Sequence, residues 1–156
     1  MALEIERRFL VQGDAWRVGA VGERYRQGYL SVDPARTVRV RVVGDQAWLT
    51  LKSQISAASR HEFEYVIPRA DADAMMDAMC PMVVDKIRYK IVYQGFTWEV
   101  DEFFGDNAGL VLAEIELPDE ATVFETPAWI GTEVTQDGRF TNAYLSTHPY
   151  TRWPKE

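Results

Sequence analysis

The chain has 156 residues, a formal charge of −7, and 47% apolar and 12% aromatic residues. That composition excludes a disordered chain and leads us to expect one domain over residues 1–156 with its own core. The acidic balance and the absence of an apolar leader or membrane-length run make neither nucleic acid nor a membrane an expected partner, and the lone Cys80 points to a reducing, cytoplasmic setting.

Residues 3–11 alternate as a strand, which puts Glu4, Glu6 and Arg8 on one face and Ile5, Phe9 and Val11 on the other. Asp14 is an N-cap for a short helix over 14–20. Residues 23–32 read as a strand that Asp33-Pro34 breaks. Strands over 37–43 and 46–54 form a hairpin about Gly44-Asp45, followed by a small, polar loop over 53–59. Residues 60–68 give a fifth strand. The clearest helix spans 70–80, with Pro81 as its stop. Strands over 83–93 and 96–104 form a second hairpin about Gln94-Gly95, and 110–117 is the eighth strand. Residues 119–124 read as a short helix, 127–131 as irregular and 138–147 as helical. The expected class is α+β, mainly β. Eight mostly antiparallel strands make a barrel or a sandwich with the helices packed outside, and an eight-stranded barrel encloses roughly one small ligand.

The charges follow a rule of their own. Like charges recur at i and i+2 in Glu4/Glu6, Arg39/Arg41, Glu62/Glu64, Lys86/Arg88/Lys90, Glu99/Asp101 and Glu114/Glu116. Two carboxylates so placed lie about 7 Å apart and repel by about 2 kcal/mol at an effective dielectric of about 20. Alternating strands usually turn such groups to water and bury the apolar face. Sorting by sign within a strand has no purpose on a solvated face, and helices rich in Ala and Met suit an apolar outer wall. On pattern alone, both arrangements stay open.

The ordered set Glu4-Ile5-Glu6-Arg7-Arg8-Phe9-Leu10-Val11, Arg26-Gln27-Gly28-Tyr29-Leu30, Arg39-Val40-Arg41, Leu51-Lys52, Glu62-Phe63-Glu64, Lys86-Ile87-Arg88-Tyr89, Glu99-Val100-Asp101 and Glu114-Ile115-Glu116 resembles the CYTH superfamily, the triphosphate tunnel metalloenzymes. The match runs through nearly the whole chain and is similar to the compact bacterial triphosphatases. The resemblance implies a closed eight-stranded tunnel with its charges inward. It implies cleavage of the terminal phosphate of inorganic triphosphate by metal-assisted hydrolysis, with Mg²⁺ or Mn²⁺ as cofactor and a monomer or homodimer as the working form.

On that resemblance Glu4, Glu6, Asp101, Glu114 and Glu116 are the metal-binding acids, because hard cations prefer carboxylate oxygens. Arg39, Arg41, Lys52, Lys86, Arg88 and Arg26 form the phosphate cradle, and Glu62 and Glu64 add ligands or pair with it. Glu4, Glu6 and Arg8 stand where the reaction occurs. No His/Cys cluster has zinc spacing, and His61 and His148 read as surface residues. Arg8 departs from the family's usual lysine: it keeps the charge but not a transferable proton. The alternatives are a thiamine triphosphatase or a class IV adenylate cyclase-like enzyme, which need a pocket for an organic group, and a non-catalytic polyphosphate or nucleotide sensor. Trp48 shares a face with Thr50 and Lys52 and is the ring such a pocket would use, but packing is the better explanation of it.

Overall fold

The alternating segments form strands whose ends fall at the turn residues. In the computed structural model, which describes residues 3–154, these are β1 (Leu3–Val11), β2 (Gly22–Ser31), β3 (Thr37–Val43), β4 (Gln46–Gln54), β5 (Ser59–Ile67), β6 (Val83–Tyr93), β7 (Phe96–Phe104) and β8 (Val111–Glu116). They hydrogen-bond in the order β5-β4-β3-β2-β6-β7-β8-β1, and every pairing is antiparallel. Leu3 to Ile5 of β1 pair with His61 to Ser59 of β5, which closes the sheet into a barrel. The β6–β7 turn has positive φ at both Gln94 and Gly95, the backbone twist that two-residue hairpins prefer.

The apolar faces point outward and are covered there, in three places. Ile5, Phe9, Trp98, Val100, Ala113 and Ile115 form one cluster with Trp16 and Leu117. Phe124 and Trp129 from the segment after β8 close over Trp98, with ring centroids 5.8 and 6.1 Å away. Helix α1 (Arg69–Met79) seats Ala72 and Met76 on Val40, Val42 and Ala47. Helix α2 (Asn142–Thr147) brings Leu145, with Phe140 and Val134, against Tyr29, Val84, Phe103 and Leu112. Thr141 caps α2, its Oγ1 accepting from the Tyr144 backbone N–H at 3.2 Å. The interior of the barrel is thereby left to polar groups: Arg8, Gln27, Arg39, Thr50, Lys86, Arg88, Asp101 and Glu114 are all buried.

Several expectations are corrected. The helix expected over 14–20 is a single 3-10 turn at Ala15–Arg17. Residues 119–124 form no helix; a local turn, in which Asp119 accepts from the Ala121 N–H at 2.8 Å, lets Phe124 reach Trp98. A ninth strand, β9 (Ile130–Glu133), follows where irregular chain was expected, and it pairs with β1 beyond the point where β5 leaves it. Residues 138–147 divide into a 3-10 turn at Gly138–Phe140 and then α2. Among the described residues, no helix is long and apolar enough to cross a membrane.

Candidate active site

Strand parity decides which charges meet. Residues of all eight barrel strands, with Tyr29 from β2, line a cavity of about 610 Å³. One wall carries Arg39 and Arg41 from β3, Lys52 from β4, Arg60 from β5, and Lys86 and Arg88 from β6; Glu4, Glu6, Glu99, Glu114 and Glu116 come from β1, β7 and β8. Arg8 lies among the acids, its Nη2 2.9 Å from Glu6 and 3.5 Å from Glu114.

The basic wall is held by bonds that fix orientation. Arg88 Nε and Nη2 donate to the two oxygens of Asp101 at 2.7 and 2.8 Å. Lys86 Nζ donates to Asp101 at 2.7 Å and to Asn142 of α2 at 2.9 Å. Arg41 Nε donates to Gln27 at 2.8 Å, and the Arg41 and Arg88 guanidinium groups lie 4.9 and 5.0 Å from the Tyr25 ring centre. Arg39 reaches Thr50 at 3.3 Å and Glu64 at 3.6 Å. Among the described residues, the buried Nε groups of Arg8, Arg39 and Arg60 have no hydrogen-bond partner.

Charge crowding shifts the titration of both walls. Burial lowers the Lys86 ammonium to about 7; Asp101 opposes the shift, and Arg88 and Arg41 add to it. Burial, then Arg39 and Arg88, bring Arg41 down to about 9. Burial and then Glu6 raise the Glu114 carboxyl, and burial with Glu4 and Glu6 does the same to Glu116. At Glu6, burial and Glu4 push upward, yet Arg8 and Lys52 hold the carboxyl below its usual range. Asp101 lies well below its usual value, because Arg88 and Lys86 outweigh its burial.

Three expected site residues, Arg26, Glu64 and Asp101, do not line the cavity. Tyr25, Gln27 and Tyr29 share one parity of β2 and are buried; Arg26, of opposite parity and half-buried, does not line the cavity. Asp101 is opposite Arg88 in the β6–β7 register; its two oxygens accept from Arg88 and Lys86, and it is not among the residues that line the cavity. Its neighbour of like parity, Glu99, lines the cavity in its place. Glu64 stays outside the lining and accepts from Thr50 Oγ1 at 3.1 Å, whereas Glu62 is part of the lining. Trp48 does not line the cavity, and His148 does, stacked on Tyr144 at 4.0 Å. Arg60 was legible, since it shares parity with Glu62. Asn142, Tyr144 and His148 follow no strand pattern, so nothing in the sequence pointed to them.

The carboxylates offer hard oxygen donors, the kind that a hard divalent cation prefers. As the side chains stand, no group of three among the described residues converges on one point; Arg8, Lys52 and Arg60 lie between them.

A closed barrel with a basic wall facing carboxylates across a narrow cavity defines a tunnel for a compact polyanion. The chain belongs to the CYTH domain family, whose model matches residues 2–143. It is 51% identical to the inorganic triphosphatase of Acetivibrio thermocellus over 96% of this chain and 97% of that one. The inorganic triphosphatase of Nitrosomonas europaea is 36% identical, with 92% of this chain and 96% of that one covered. A crystal structure of an inorganic triphosphatase superposes with a TM-score of 0.64 at 32% identity, over 97% and 99% of the two chains.

Proposed function

We propose that the protein is a divalent-metal-dependent inorganic triphosphatase that hydrolyses tripolyphosphate to pyrophosphate and orthophosphate. The observation that carries this reading is the one continuous cavity that has Arg39, Arg41, Lys86 and Arg88 facing Glu4, Glu6, Glu114 and Glu116. A linear phosphate chain needs cations along its length and acids where a metal neutralises the reacting end.

Arg39 and Arg41 present planar forks to phosphate oxygens, and Lys86 a compact charge, each oriented by the bonds described above. Glu4, Glu6, Glu114 and Glu116 would hold Mg²⁺ or Mn²⁺. The ion, when bound, supplies Lewis-acid neutralisation of phosphoryl oxygens and acidifies water. The same carboxylates orient a water in line with the terminal phosphorus and accept its proton; the new P–O bond forms as the bridging P–O bond breaks, and pyrophosphate leaves with the electron pair. Arg8 acts as a charge clamp between Glu6 and Glu114. Its pKa is raised: burial opposes the charge, and Glu114 and Glu6 more than compensate, so it transfers no proton near neutral pH. The lone Cys80 suits a cytoplasmic setting.

Orthophosphate release from tripolyphosphate, ATP and thiamine triphosphate, each with Mg²⁺, Mn²⁺ or chelator, tests the reading. Tripolyphosphate is expected to turn over fastest, and only with metal. Equal or faster turnover of ATP or thiamine triphosphate would overturn the substrate, and activity in excess chelator would overturn the metal.

A further inference from the structure

The carboxylates of β1 are nearly enclosed, with side-chain exposures of 13% for Glu4 and 12% for Glu6. Charges at that burial need counter-charges close by. Lys52 Nζ lies 3.0 Å from Glu4 and 3.3 Å from Glu62. Arg60 Nε lies 3.8 Å from Glu4, and its Nη1 3.5 Å from Glu6. The strand register enforces this: Arg60 is opposite Glu4 where β5 meets β1, and Lys52 is opposite Glu62 in β4–β5.

Arg88 and Arg60, two of the arginines that meet acids in this tunnel, are held quite differently. Arg88 grips Asp101 with bonds of 2.7 and 2.8 Å, the geometry of a permanent fixture. Arg60 touches its two acids at the outer limit of an ion pair, and its buried Nε has no hydrogen-bond partner among the described residues. A guanidinium so placed neutralises without locking. It also sits at the barrel seam, where, among the described residues, β5 pairs with β1 over Leu3 to Ile5. The acids that would hold an ion do not converge in this arrangement, as expected when cations separate them.

We propose that Arg60, with Lys52, is an internal counter-ion that a divalent cation displaces from Glu4 and Glu6, and that the released guanidinium then binds the phosphate chain. The inference rests on the metal-dependent triphosphatase reading and adds to it a further substrate-contacting residue and a coupling. Metal binding frees a cation for the substrate, and substrate binding removes the competitor for the metal's acids. Each ligand therefore strengthens the other by the same factor.

The test is Mn²⁺ binding to triphosphate-free protein, followed by the spin-resonance signal of free Mn²⁺, for wild type, Arg60→Gln and Glu6→Gln. Arg60→Gln is expected to bind Mn²⁺ alone about fivefold or more tightly than wild type. It is also expected to bind tripolyphosphate more weakly in chelator and to lose most of the gain in tripolyphosphate affinity that Mn²⁺ gives wild type. Glu6→Gln is expected to lose Mn²⁺ binding. An Arg60→Gln protein that melts cooperatively and binds Mn²⁺ no tighter than wild type overturns the exchange, since a purely structural arginine would lower the melting temperature and leave metal affinity alone. Absence of Mn²⁺ uptake by both proteins overturns it too. If Arg60→Gln does not fold, Lys52→Gln carries the same comparison with the same two outcomes. Turnover of tripolyphosphate by wild type is read separately, so its failure would count against the enzyme reading and not against the exchange.

Discussion

Lys86 shows how much one residue's setting changes its chemistry. It is fully buried, bonded to Asp101 and Asn142, and flanked by Arg41 and Arg88. Burial and the neighbouring cations bring its ammonium to about 7, so in the empty tunnel it loses charge as pH rises through neutrality. An arriving polyanion favours the charged form and raises that value again. Above neutrality, binding therefore takes up a proton, and affinity falls as pH rises. Calorimetry of tripolyphosphate binding in chelator, in two buffers of different ionisation enthalpy at mildly alkaline pH, is expected to show this uptake in wild type. Lys86→Arg, charged at every pH used, is expected to show less. Equal uptake by the two proteins would mean that Lys86 keeps its proton throughout. Individual roles were only partly legible in the sequence: alternation identified the Glu99/Asp101 pair but not which member faces Arg88 in the register, and Arg26 belongs to a motif whose inward residues are its neighbours.

Secondary-structure elements were legible where a local pattern encodes them. The eight barrel strands and α1 were predicted to within a few residues because alternation and helical spacing are written into each segment. β9 was not, since Ile130–Glu133 is short and exists as a strand because β1 offers an edge beyond β5. Phe124, expected in a helix, goes instead to the aromatic cluster on Trp98, where burying a ring outweighs weak helical preference. How closely α1 sits on the barrel depends on Gly28 of β2. A Cβ there would lie 2.6 Å from Cys80 Sγ, 3.0 Å from Cys80 Cβ and 3.3 Å from Met76 Cγ. Gly28→Ala must push the end of α1 away from β2, and overpacking of this kind costs about 1–3 kcal/mol. The midpoint of urea unfolding is expected to fall accordingly, and Cys80→Ala in the same chain is expected to recover part of the loss by removing the nearest atom. A neutral Gly28→Ala would show that α1 is not pressed against the barrel there.

At the scale of the whole molecule, the hydrophobic clusters lie between the barrel wall and its outer cover, and the interior collects charge. The family resemblance, more than composition, made this inversion legible, because alternation alone is equally satisfied by a solvated charged face. One consequence is that the empty tunnel works against folding. Arg41 is pulled down to about 9 by burial and then by Arg39 and Arg88, so like charges are held together with no ligand between them. A polyanion that neutralises the cradle should then stabilise the fold even without metal. At about a hundred times its dissociation constant, a ligand that binds only the folded state contributes about 2.7 kcal/mol. For a chain of this length that corresponds to roughly 5–11 °C in melting temperature. Thermal melts in chelator are expected to show a rise of this order with tripolyphosphate and a smaller one with sulfate at equal ionic strength. Arg39→Ala, melted at the same tripolyphosphate concentration, is expected to lose much of the rise. If sulfate matches tripolyphosphate, general screening of charge is sufficient and no ordered row of cations is being read. If tripolyphosphate leaves the melting temperature unchanged, the facing rows of Arg39, Arg41, Lys86 and Arg88 are not a phosphate cradle.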